Sequence, residues 1–191
     1  LLVKGSDGAI TVYDEGFNSL GTATEYYQGF VIEKKDEQYE VKRPGEGKLL
    51  FTTEYKVSDF LKDDEQFRIE AEGKQGRLDL EGNLVVPPVH EQLTQVAGAY
   101  YRGREAYDGK EGLLDLSGQV VVPFQYDEVL VTFVRGISIP GLVRVMVDGF
   151  APVLLEGKVG FVNDQGEETV APAYAKDAVK QFANTLLYSD I

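Results

Sequence analysis

His90 is the sole histidine of the 191-residue chain, which also has no cysteine and no tryptophan. One imidazole can act as a general base or as a single metal ligand. It cannot build the thiolate or multi-histidine set that holds zinc, and cysteine nucleophiles and disulfides are excluded outright. Ser138, in Gly136-Ile137-Ser138-Ile139-Pro140, grazes the nucleophile elbow Gly-x-Ser-x-Gly. The last glycine is missing, no strand-to-helix turn is expected there, and the only histidine lies upstream instead of downstream. Carboxylates are plentiful, in Asp63-Asp64-Glu65, Asp127-Glu128 and Glu167-Glu168, and two at the right separation are all a glycosidase needs. With 32 acids in the chain, neighbouring pairs also arise without function. Asn163-Asp164-Gln165-Gly166-Glu167-Glu168 has a calcium-loop flavour but lacks alternating ligands at EF-hand spacing. The expectation is no catalytic residue, no metal ligand and no cofactor.

The elements that must carry these residues are set by an internal repeat. Gly73-Lys74-Gln75-Gly76-Arg77-Leu78-Asp79-Leu80-Glu81-Gly82-Asn83-Leu84-Val85-Val86-Pro87-Pro88-Val89-His90 aligns without a gap with Gly109–Tyr126 and with Gly157–Tyr174, Pro123 falling on Pro87 and Pro172 on Pro88. Gly-Lys-x-Gly, the turn glycine and the Tyr/His slot coincide in all three. With Gly82, Gly118 and Gly166 as zero, two weaker copies appear at Gly47 and Gly16. The intervals from Gly16 onward are 31, 35, 36 and 48 residues. Each copy reads as a β-hairpin: Leu78 and Leu80 alternate with Arg77 and Asp79, a two-residue Glu81-Gly82 turn follows, and Leu84 and Val86 continue. The prolines are expected to end the second strand. Further strands are expected at Gln38–Arg43, Phe67–Glu72 and Gly141–Val147, about three per repeat. Only Asp177–Thr185 has helical periodicity. The fold class is all-β, in tandem antiparallel hairpin or meander repeats. A single repeat domain spans 1–191, with approximate units 1–36, 37–70, 71–106, 107–154 and 155–191.

The Gly-Lys-x-Gly, turn-glycine, Val-Val-Pro and Tyr-Asp-Glu frame resembles the WG-repeat family of bacterial β-repeats. The tryptophan slot of that family holds Gln75, Glu111 and Val159 here. The resemblance implies an extended or closed, propeller-like array of small antiparallel sheets with a scaffold or binding role. Tyr55, His90, Tyr126 and Tyr174 share one slot of the repeat, which predicts equivalent buried positions and a packing role for the histidine.

Charge narrows the partners. The 19 basic residues leave a net charge of −13, and a nucleic-acid site needs a basic stripe to displace counterions. No apolar run reaches the length of a membrane span. The expected partner is therefore a protein, with a glycan as the other option, and neither nucleic acid nor membrane insertion is expected. Two segments fit a contact surface. Tyr100-Tyr101-Arg102-Gly103-Arg104 is aromatic and basic in an acidic chain, the composition of interface hot spots, although a strand with inward tyrosines reads equally from it. The longest interval places its extra residues within Val131–Pro152, and insertions in repeat arrays map to one face. The binding set expected from these segments is Tyr101, Arg104, Arg135, Arg144 and Phe150, with a plain extra hairpin as the other reading of the insertion. The function expected is a non-enzymatic interaction module. The alternatives are a carbohydrate-binding or carbohydrate-active domain, or an acidic immunity or inhibitor protein. The chain starts at Leu1, so a preceding segment is expected. Cysteine absence fits either compartment, an extracytoplasmic one being favoured over the cytoplasm.

Overall fold

In the computed structural model, the structure describes residues 2–6, 8–43, 48–96, 99–130, 132–133, 143–144 and 149–175. All regular elements among them are strands, and every pairing is antiparallel. The first sheet holds β1 (Leu2–Lys4), β2 (Ile10–Tyr13) and β3 (Ser19–Ala23). The second holds β4 (Glu25–Tyr27), β5 (Phe30–Lys35), β6 (Gln38–Lys42) and β7 (Leu49–Thr53). The third is β8 (Lys56–Leu61), β9 (Gln66–Ala71), β10 (Lys74–Leu78) and β11 (Leu84–His90). The fourth is β12 (Gln92–Val96), β13 (Tyr100–Arg104), β14 (Glu111–Asp115) and β15 (Val120–Tyr126). The fifth begins with β16 (Glu128–Val129) and, after the inserted pair β17 (Thr132–Phe133) and β18 (Val143–Arg144), continues with β19 (Phe150–Leu155), β20 (Lys158–Asn163) and β21 (Glu168–Ala175).

The all-β, tandem-meander expectation holds, with four strands in most sheets instead of three. The sheets are out of phase with the expected units: the third runs from Lys56 to His90, so a boundary at 70/71 would cut it within β9, one residue before that strand ends. The reason is that the repeat's most recognisable residues lie on its last two strands, and the first two precede them. Of the strand expected at Gly141–Val147, Val143–Arg144 is described and pairs with Thr132–Phe133; the other residues of that stretch lie outside the described ones. The helix expected at Asp177–Thr185 lies outside the described residues, as does Gly47.

The chain divides into two compact units, Leu1–Val89 and His90–Ile191. In the first, Phe30, Phe60 and Phe67 meet with ring centroids 4.5 to 4.9 Å apart, and Phe51 reaches Phe67 at 5.4 Å. Ile32, Val41, Val57 and Ile69 complete this core, which lies where the second and third sheets face each other. Tilted and edge-on aromatic pairs each add about 0.5–1.5 kcal/mol beyond area burial. In the second unit, Leu113, Val122 and Tyr126 of the fourth sheet pack on Val129, Ala151, Val153 and Val162 of the fifth.

The prolines do not stop the strand. Pro87 and Pro88 lie within β11, Pro123 within β15 and Pro172 within β21. Each of those strands is the edge of its sheet, where an imino nitrogen costs no ladder bond. A bulge also falls there: Glu111 faces Tyr126 but Leu113 faces Val122, so two residues on β14 span four on β15. β20 and β21 repeat the shift, with Val159 opposite Tyr174 and Phe161 opposite Val170. The second glycine of Gly-Lys-x-Gly sits beneath this bulge. A Cβ on Gly76 would lie 2.6 Å from the Val86 carbonyl oxygen, and on Gly160 2.5 Å from that of Val170. The signature thus records backbone approaching backbone.

Candidate functional site

The turn between the last two strands obeys one rule. Asp79 N–H donates to the Asn83 carbonyl and Gly82 N–H to the Asp79 carbonyl, giving a three-residue loop closed by Gly82 at φ 85°. This replaces the expected two-residue turn with a type I turn and a glycine bulge. The Asp79 carboxylate accepts the amides of Glu81 and Asn83 at 3.0 and 2.7 Å. Asp115 accepts those of Ser117 and Gln119 at 2.8 and 2.9 Å, and Asn163 those of Gln165 and Glu167 at 3.0 and 2.8 Å. Burial raises the Asp115 pKa, but the Ser117 hydroxyl and three backbone amides outweigh that and hold it below the usual value. The stretch 163–168 is accordingly an ordinary capped turn. In the first copy, Asp14 takes the capping place and accepts the Asn18 amide at 2.8 Å. The left-handed position there is Phe17, at φ 61°, not Gly16; the copy is framed one residue later than its glycine indicates.

Arg43 breaks the rule. It follows the last residue of β6 as Asp79 follows that of β10, although the loop here is one residue longer, its amide donating to the Lys48 carbonyl at 3.4 Å. A guanidinium cannot accept amide protons. Instead it lies over the Phe30 ring, 5.6 Å from the centroid, a cation–π arrangement. Beneath it opens a hollow of about 430 Å³ between the ends of the second and third sheets. Phe30, Phe60 and Leu80 form its apolar part, and Gln28, Lys62 and Glu65 its polar rim. The Gln28 side-chain amide donates to the Phe60 carbonyl at 3.0 Å, joining the two sheets.

The expected binding residues fare differently from one another. Tyr101 is fully buried, so it belongs to the interior of the fourth sheet and not to a contact face; alternation along β13 turns Tyr101 and Gly103 inward. Arg104 is half-buried and tied to Glu111 at 2.6 Å, with a second bond to the Tyr107 carbonyl at 3.2 Å. Glu111, in the tryptophan slot, also accepts the Val129 amide at 2.9 Å. It thereby clamps the fourth sheet to the fifth through a buried polar contact. Phe150 opens β19 and is 42 % exposed. Arg144 pairs with Thr132 through its backbone in the two-stranded pair of β17 and β18. Arg135 and Ser138 lie outside the described residues.

Tyr126 is fully buried and His90 nearly so, stacked on Phe124 with centroids 5.2 Å apart. Tyr55 is half-buried against the aromatic core. Tyr174, in contrast, is 51 % exposed, because no later described sheet covers the last copy. Asp127 bridges Lys110 at 2.5 Å and the Glu156 amide at 2.6 Å, which lowers its pKa. Sequence reasoning missed Tyr107, 88 % exposed beside Arg104, and the whole hollow. The legible signal for the hollow was Arg43, a base where sister copies carry Asp or Asn. Among the described residues no three His, Asp or Glu side chains gather as a metal site, and no helix is long and apolar enough to cross a membrane.

Comparison with known proteins agrees with the repeat frame. Residues 112–139 match the family described as WG containing repeat, spanning the bulged strand and the Tyr126 slot. No curated protein matches the sequence. Among solved structures, BamB from Moraxella catarrhalis is similar at 12% identity and a TM-score of 0.35, over 91% of this chain and 71% of that one. HIRA(644-1017) is similar at 12% identity and a TM-score of 0.33, over 89% of this chain and 51% of that one.

Proposed function

We propose that this chain is a non-enzymatic β-repeat interaction module that binds a protein partner. The observation that supports it is the use made of the motif carboxylates. Asp14, Asp79 and Asp115 cap turns, Asp127 joins Lys110 to the Glu156 amide, and Glu111 joins Arg104 to the Val129 amide. An acid–base pair must exchange protons with a substrate, whereas the donors around Asp14, Asp115 and Asp127 hold those carboxyls below the usual carboxylate range, and Asp79 and Glu111 are engaged by backbone amides. They position backbone.

What varies from copy to copy is left for recognition, as in other repeat scaffolds. The segment Val131–Pro152, where the longest interval has its extra residues, contains Arg135, Arg144 and Phe150 in sequence, and Tyr107 offers an exposed ring. Tyr101 leaves the contact set, and Arg104 enters it only through its neighbour Tyr107. The test is to purify a binding protein on the immobilised chain and measure its affinity for wild type and for Arg144→Glu with Phe150→Ala. The paired change is expected to weaken binding at least tenfold, about 1.4 kcal/mol, with little change in thermal unfolding. Turnover of an ester, phosphate or glycoside substrate that vanishes in a folded Asp127→Asn, Glu128→Gln variant would overturn the non-enzyme reading.

A further inference from the structure

The hollow under Arg43 is where the repeat departs from its own rule: Arg43 stacks over Phe30 in place of capping a turn. Arg43 and Lys62 have no ion-pair partner among the described residues, although Lys35, Lys42 and Lys56 in the same unit all do. We infer that this hollow binds a carboxylate-bearing segment of a protein partner: an acidic side chain next to an apolar one, in extended chain. The inference rests on the interaction-module reading and names the ligand class for it.

Three features select that class. The volume, about 430 Å³, falls within the range of sites that enclose small ligands or a few side chains. Its apolar part, Phe30 and Phe60 with rings 4.5 Å apart and Leu80 beside them, matches an apolar side chain. Its two cations stand on the rim, and a guanidinium fork takes a carboxylate through paired, charge-assisted bonds. The Gln28 carboxamide places one of its two N–H groups on Phe60 and keeps its oxygen as an acceptor, and the Glu65 carboxylate also accepts. Peptide N–H groups satisfy both. A polyanion such as nucleic acid fits badly, because Glu65 borders the cations and the chain carries −13 overall.

The test uses the full chain and two N-acetylated, C-amidated pentapeptides, Gly-Leu-Glu-Phe-Gly and its Gln counterpart. Titration is followed by NMR at the Leu80 methyls and the Phe30 and Phe60 rings. The Glu peptide is expected to saturate those signals, and the Gln peptide to bind about fivefold more weakly or worse. Arg43→Glu with Lys62→Glu should weaken the Glu peptide at least tenfold while leaving the fold's amide spectrum unchanged, and Arg43→Lys, which keeps the charge but not the fork, should weaken it by less. Equal affinity for the two peptides, shifts mapping elsewhere, or no saturable shift overturns the inference. If the purified partner of the preceding section ignores Arg43→Glu with Lys62→Glu but responds to Arg144→Glu with Phe150→Ala, the hollow inference fails and the module reading stands. If the Glu peptide binds as described and no protein does, the site stands and the module reading fails.

Discussion

Gly73 and Gly76 lie three residues apart in one hairpin, and replacing each by alanine separates two kinds of glycine requirement. Gly73 has φ +79° with open space around its Cα, so an alanine there meets only backbone strain. Left-handed φ costs an L-residue about 1–2 kcal/mol, partly offset by about 0.4–1 kcal/mol from a stiffer unfolded chain. The net expectation is about 1 kcal/mol. Gly76 has an ordinary φ, but its Cβ would sit 2.6 Å from the Val86 oxygen, 2.8 Å from Pro88 N and 3.0 Å from Pro88 Cα. These are backbone atoms of an edge strand pinned by two prolines, so no side chain can rotate away. Overpacking typically costs about 1–3 kcal/mol, and an unyielding wall puts this case at about 3 kcal/mol. For a chain of this length each kcal/mol moves the melting temperature about 2–4 °C, so Gly76→Ala should melt about 6–12 °C below wild type and Gly73→Ala about 2–4 °C below. Urea unfolding with unchanged m-value checks the free energies. A Gly76→Ala protein as stable as Gly73→Ala would refute the claim that the repeat glycine exists for the approach of the bulged strand.

Three further outcomes follow from the same geometry. Tyr126→Ala, removing a fully buried ring between the fourth and fifth sheets, should cost about 3–5 kcal/mol, whereas Tyr174→Ala, at a half-exposed ring, should stay within about 0.5 kcal/mol; equilibrium unfolding of both variants measures the contrast. Glu111→Ala should destabilise by about 2–3 kcal/mol, below the range for fully buried pairs because Arg104 is partly solvated, and Glu111→Gln by less, since its oxygen can still accept the Val129 amide. Asp115 has a folded pKa below the ordinary 3.8, so the unfolded state binds more protons in that window. Its contribution is therefore complete above about pH 4 and lost as pH falls through the folded value. Asp115→Asn should keep the turn, as Asn163 does, yet flatten the acid limb of a stability-versus-pH curve, while Asp115→Ala loses both.

The features legible in the sequence are those made by local chemistry. A left-handed glycine three residues after an Asp or Asn closes the same turn at Gly82, Gly118 and Gly166 whatever surrounds it, and alternation marks strands on either side. Strand count, the bulged prolines and the phase of the sheets were not legible, because pairing partners are distant and an edge strand tolerates what a central strand forbids. Alternation also assigns residues to faces without saying which face is covered. Tyr101 and Arg104 lie on one short strand, yet the ring is sealed inside and the guanidinium is drawn to Glu111. The sequence by itself determined the turns, the repeat frame and the all-β class, since each depends on backbone preferences a few residues long. Only the tertiary structure decided that Glu111 clamps two sheets and that Arg43 roofs an aromatic hollow, because both arise where side chains from separate repeats are brought within reach by packing.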